Sequence, residues 1–209
     1  MKTRVAFLGA GSFSDGVLPY LNQEKYQFIG YFDDKPIENY RGFPVYGTLA
    51  DSVTFLEEGK VDLVFVTIGD NKKRKEIFEL ISEQHYDALF NIISPQSAIM
   101  PTAQLSGKGI FVGFSAFIGS DSVIGDNCII NTSAIVEHHT IIKAHCNITP
   151  RATINGLCNI GQGCYIGSGS VLIQLVELAD EIVLGAGAVV VKSLTESGTY
   201  VGTPARKIK

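Results

Sequence analysis

From Val112 to Val190 every sixth residue is aliphatic: Val112, Ile118, Ile124, Ile130, Val136, Ile142, Ile148, Ile154, Ile160, Ile166, Leu172, Leu178, Leu184 and Val190. An α-helix repeats its apolar face every 3.6 residues and a strand every 2, so a six-residue period sustained this long belongs to neither. Two positions earlier the chain is small almost throughout: Ala116, Ser122, Cys128, Ala134, Thr140, Cys146, Ala152, Cys158, Cys164, Ser170 and Ala188. Glycine often follows the aliphatic, as after Ile118, Ile124, Ile160, Ile166 and Leu184. The pattern predicts one short strand and one turn per six residues. The aliphatic points inward, the small residue fits near the corner and glycine permits the turn. Three such faces close one coil, so residues eighteen apart stack at about the 4.8 Å inter-strand spacing. This is the pattern of a left-handed parallel β-helix, an exception to the usual crossover hand. Fourteen rungs predict four to five coils.

Before residue 94 the periodicity is different. Apolar runs alternate with amphipathic ones: strands at VAFLG, QFIGYF, VDLVFVTIG and ALFNIIS, and helices over about Asp15–Gln23, Leu49–Glu58 and KKRKEIFELISEQ. That alternation predicts a small Rossmann-like α/β domain over 1–93, with a boundary near Ser94-Pro95 and the β-helix with a C-terminal tail over 94–209. Gly9, Gly11, Ser12 and Phe13 follow the first strand, where backbone N–H groups can meet a phosphate. Asp33 and Asp34 close the second strand, a usual place for ribose or base recognition. The loop departs from the dinucleotide fingerprint, with Ser14 in the last glycine position, so it favours one nucleotide over NAD.

Composition narrows the classes. With 45% hydrophobic and 18% charged residues, the 209-residue chain buries a core and is not a disordered tail. A net charge of −4 offers no general attraction to nucleic acid or anionic membrane. The absence of a membrane-length apolar run and of a signal-peptide pattern leads to the expectation of a cytoplasmic protein. All four cysteines fall in the small-residue phase and no Cys-x-x-Cys pair exists, so they read as small hydrophobes in a packed interior.

Three of the four histidines lie in 133-SAIVEHHTIIKAHC-146. An α/β domain with GAGSFS and FDD, then a repeat carrying INTSAIVEHHT, resembles the bacterial sugar acetyltransferases with hexapeptide repeats. These acetylate nucleotide-linked amino sugars and have sialic acid O-acetyltransferase relatives. The resemblance covers essentially the whole chain, including GDNKKRKEI, which carries Gly69 and Asn71 among the implied substrate contacts, and the terminal VGTPARKIK. It implies a homotrimer with active sites between β-helices, acetyl-CoA in the groove and the sugar nucleotide on the N-terminal domain; no metal is implied. It makes His138 the general base, which takes a proton as an amine or hydroxyl attacks the thioester.

The resemblance also places Asn131 on the sugar side and Asn147 near the thioester carbonyl. Glu137 or His139 is left to tune the base, because the carboxylate often found after it is His139 here, and His145, further along, reads as an outward-facing polar residue. The implied cofactor contacts are Ser168, Gly185 and Ala186, with Arg206, Lys207 and Lys209 as candidate partners of CoA phosphates. The reading is N-acetylation of a nucleotide-linked amino-dideoxy sugar. The alternatives are O-acetylation of sialic acid, a γ-type carbonic anhydrase with three histidines on zinc, and a non-catalytic scaffold.

Overall fold

The computed structural model describes residues 2–209. Contacts divide the chain into two units, Met1–Ile92 and Ile93–Lys209. In the first, strand Thr3–Leu8 lies between parallel strands Tyr26–Phe32 and Leu63–Val66. The apolar run around Leu89 adds only a single bridge to Val64. Phe7, Phe28, Tyr31 and Phe65 interlock edge-on or tilted at one face of this sheet. Ala6, Leu8, Val64 and Val66 point the other way, towards Ile77, Phe78 and Ile81 of helix Asn71–His85.

Two boundaries and one hairpin differ from the expectation. The first helix is Ser12–Val17 followed by a 3-10 turn Leu18–Tyr20, because Pro19 cannot donate the next helical hydrogen bond. The third strand ends at Val66, where Thr67 turns back to bond Leu8 and Gly9 carbonyls. A hairpin of Asn39–Tyr40 and Phe43–Pro44, unseen in the apolar pattern, is held through its Arg41-Gly42 turn, with both residues at positive φ.

In the second unit, two-residue strands stack in parallel eighteen residues apart, forming a left-handed β-helix. One face carries Phe117, Ile135, Thr153, Val171 and Val189 in register. The second carries Val123, Ile141, Asn159 and Glu177. The third carries Ile129, Asn147, Tyr165 and Val183. These point outward, and the aliphatic after each is buried, giving one continuous core. The solenoid makes about six turns rather than four to five. Ile99 and Leu105 are two earlier rungs, stacked beneath Ile118 and Ile124. A one-residue excess between Leu105 and Val112 shifts their phase, which hid them from a strict six-residue count.

The small-residue phase does more than fill space. Ser122, Cys128, Thr140, Cys146, Cys158 and Cys164 each donate from their side chain to the carbonyl fifteen residues on, at 2.9–3.2 Å. The cysteines are free and buried, as a packing role requires, but they also cap corner carbonyls that would otherwise be desolvated. Burial pushes the Cys146 and Cys158 thiols up, which keeps them protonated as donors.

Two of the histidines are explained by the corners. Each edge turns through a left-handed residue: Asp121, His139, Leu157 and Leu175 on one, and Asn127, His145, Gly163 and Glu181 on the next, with φ from 55° to 68°. Asp, Asn and His are enriched in this conformation because a short polar side chain tolerates it. His139 and His145 therefore occupy turn slots.

Candidate functional site

His138 precedes its left-handed corner residue and is exposed, as is His139. Its ring lies over Gly156, eighteen residues on, where a Cβ would sit 2.7 Å from both Cε1 and Nε2. Only glycine leaves the imidazole this space. His138 Nδ1 is 3.1 Å from His139 Nδ1, and the rings meet edge to face. His139 Nε2 in turn lies 3.6 Å from Asp121 Oδ2 on the coil below. Glu137, half-buried, accepts the Ser122 hydroxyl through its backbone carbonyl. The His138 ring thus pairs with His139.

Other expected groups lie elsewhere on the solenoid. Asn131, Ser168, Gly185 and Ala186 share the third edge, the one that turns through Ser133 and Arg151, with Asn131 Oδ1 accepting from the Thr132 N–H. Ser168 and Ala186 are exposed there. Asn147 belongs to the face leading into that edge; it is 7% exposed and its Oδ1 has no hydrogen-bond partner. His145 is also buried, paired through Nδ1 with the Asn127 amide at 2.9 Å, which corrects the outward-facing expectation: the stack over Asn127 draws the ring in. One chain therefore spreads the candidate groups over two edges. Arg206 and Lys207 lie in an exposed hairpin strand, with Lys207 Nζ 3.0 Å from Glu196. Among the described residues no group of three or more His, Cys, Asp or Glu could hold a metal ion.

In the α/β unit a cavity of about 380 Å³ is lined by Gly9, Ala10, Gly11, Asp33, Asp34, Lys35, Leu49, Thr67, Ile68 and Lys73. Gly9 takes φ 116°, and a Cβ there would come 2.9 Å from the Thr67 carbonyl. The glycine-loop N–H groups are already engaged: Gly9 with Phe32 O, Ala10 with Asp33 Oδ2 and Gly11 with Ser14 Oγ. Lys35 and Lys73 are the cationic groups on the wall. Asp33 accepts from the Ala10 and Lys35 N–H groups, so it pins the loop. Asp34 accepts from Leu49 N and keeps Oδ2 near Lys73 at 3.7 Å. Of the remaining expected residues, Gly69 is exposed just beyond this wall, and Asn71 Oδ1 receives the buried Arg74 guanidinium. Ser12 and Phe13 begin the first helix. The same helix carries Asp15, held below the usual carboxylate range by the Arg41 guanidinium, with Tyr40 as a second donor.

Comparison with known proteins adds three findings. The PglD N-terminal domain family matches residues 4–81. No curated protein matches the chain. Among solved structures, the acetyltransferase domain of PglB from Neisseria gonorrhoeae is 28% identical over 99% of this chain and 100% of its own, with a TM-score of 0.87. It has also been solved with acetyl coenzyme A. Perosamine N-acetyltransferase from Caulobacter crescentus is 30% identical over 98% of this chain and 96% of its own, with a TM-score of 0.87. It was solved with CoA and GDP-perosamine, in variants that replace one histidine by asparagine or alanine. WeeI from Acinetobacter baumannii, 24% identical over 99% of this chain and 100% of its own, shares the fold with a TM-score of 0.82.

Proposed function

This chain belongs to the bacterial sugar acetyltransferases built on hexapeptide repeats, and we propose that it moves an acetyl group from acetyl-CoA to the amine of a nucleotide-linked amino-dideoxy sugar. The observation that carries the reading is an exposed imidazole, His138, set over a glycine on a β-helix that matches a nucleotide-sugar N-acetyltransferase along nearly its whole length. The cavity of the α/β unit gives the nucleotide a place, with Lys35 and Lys73 for phosphate and Asp34 for ribose or base. A free sialic acid would leave that cavity without a use.

In the proposed step the sugar amine attacks the thioester carbonyl and His138 Nε2 accepts its proton. The C–N bond forms, the carbonyl oxygen becomes an oxyanion, and its collapse breaks the C–S bond. The proton held by His138 then returns to the departing CoA thiolate. Asn147 is assigned to the oxyanion and Asn131 to the sugar. Ser168, Gly185 and Ala186 are assigned to the pantetheine arm, and Arg206 and Lys207 to the CoA phosphates.

Because one chain holds these groups on two edges, the reading requires a neighbour, and we assign a homotrimer. Its support is the outward face of Phe117, Ile135, Val171 and Val189, flanked by exposed Ile173, Leu175 and Val191. No helix among the described residues is long and apolar enough to cross a membrane. We assign the reaction to the cytoplasm; the acetyl-CoA donor and the four free buried thiols support that assignment.

The test is direct. Purified protein is mixed with acetyl-CoA and a panel of GDP-perosamine, UDP- and dTDP-linked amino-dideoxy sugars and sialic acid, and CoA release is followed. Turnover on a nucleotide amino sugar alone is expected. Turnover on sialic acid alone would overturn the reading, and full activity in a dilute monomer would overturn the assembly.

A further inference from the structure

We propose that Asp121, acting through His139, supplies the negative charge that orients and strengthens His138, so that a carboxylate–imidazole–imidazole relay replaces a direct carboxylate partner. The inference rests on His138 being the base. Asp121 and His139 occupy the same left-handed corner slot one coil apart, with φ of 59° and 56°. Stacking therefore sets His139 Nε2 3.6 Å from Asp121 Oδ2 and leaves His139 Nδ1 3.1 Å from His138 Nδ1.

Only one arrangement of protons lets His138 act through Nε2. A neutral imidazole carries one N–H, and two ring nitrogens 3.1 Å apart need one donor and one acceptor. A free Nε2 lone pair on His138 puts its proton on Nδ1, donating to His139 Nδ1. The His139 proton then sits on Nε2, facing the Asp121 carboxylate. When His138 Nε2 takes the amine proton, the charge that develops is met by His139 Nδ1, itself polarised by Asp121. No proton passes along the relay; only the bond to the amine proton is remade. The charged and titratable groups at this corner are Glu137 and His139 on the same coil and Asp121 below. The coil above presents Gly156 and Leu157, which carry no charge.

His139 and Asp121 are positioning residues, and both are about half exposed, so solvent screens the pair and the effect is modest. Asp121→Asn is expected to lower kcat about fivefold with the acceptor KM unchanged. It should also move the acidic limb of the pH–rate profile to lower pH, since removing a nearby negative charge disfavours the imidazolium. His139→Glu places a carboxylate beside the base, and its activity should no longer respond to Asp121→Asn. Glutamate is accommodated in such a slot, as Glu181 shows with φ 59°.

Nitrogen-15 spectra of imidazole-labelled protein give a readout independent of the acceptor. They should show the Nδ1–H form of His138 and the Nε2–H form of His139. Unchanged kcat and pH limb in Asp121→Asn would overturn the relay, as would the opposite pair of tautomers. Loss of turnover in His138→Ala would leave the base assignment standing in that case, whereas normal turnover in His138→Ala would remove the base itself.

Discussion

Asn159 and Ile160 share a two-residue strand in the β-helix, one exposed and one fully buried, and the same division returns eighteen residues away on either side. Phe7 and Tyr31 in the α/β unit have no such counterparts; each fits one aromatic cluster that is not repeated. The β-helix spreads its stability over many near-equivalent rungs, each supported by its neighbours. The α/β unit depends on particular contacts made once. Function follows the same split. Outward corner residues of a solenoid lie off the core, so the proposed base His138 is placed without cost to it, whereas the cavity proposed for the nucleotide is walled by residues that also hold the loop together.

The largest expected effect tests the freedom of the corner. His138→Ala should lower kcat by about 10²–10⁴, the usual worth of a placed general base, while assembly and Tm stay as they are. Steady-state kinetics beside light scattering would check it. Loss of assembly would mean that the corner and the core are not separable.

Next is the contrast within one rung. Ile160→Ala should destabilise by roughly 2–5 kcal/mol, because it leaves a cavity in a stacked core, whereas Asn159→Ala should stay within about 0.5 kcal/mol. Urea unfolding of the two variants measures the difference directly. Equal effects would deny that adjacent residues face different surroundings.

Gly9→Ala probes the once-only contacts. Its φ of 116° and the Thr67 carbonyl 2.9 Å from a new Cβ should cost roughly 1–3 kcal/mol. The loss should fall on the α/β unit, with nucleotide affinity falling and the β-helix unaffected, as hydrogen exchange would resolve. Asp33→Ala should behave similarly, since its carboxylate pins Ala10 and Lys35. Asp34→Ala should mainly raise the acceptor KM.

The smallest effect concerns pH. The Arg4 guanidinium, with two hydrogen bonds to the Asp62 carboxylate, holds Asp62 below its usual range. A depressed folded pKa stabilises at neutral pH, and that contribution fades as pH falls below about 4 through the folded value. Asp62→Asn should therefore lower Tm slightly at pH 7 and not at all once the carboxylate is protonated in both states. A difference that grew on acidification would have the wrong sign for this pair.

The sequence alone determined the solenoid, because a coil with three equal faces writes its period into the chain and any aliphatic out of phase would point into solvent. It also determined the existence of the α/β unit and the resemblance that singles out His138. The two early rungs at Ile99 and Leu105 escaped because one extra residue breaks the count while the stacking absorbs it. Asp121 and Gly156 were within reach of the same arithmetic, each standing eighteen residues from a histidine of the pair, but a rule for apolar rungs does not look at corners. The division of labour between Asp33 and Asp34 was not legible, since identical carboxylates side by side differ only in which backbone N–H groups the folded loop turns towards them. Tertiary structure decided which groups meet, because a hydrogen bond depends on distances of a few ångströms that the order of residues does not carry.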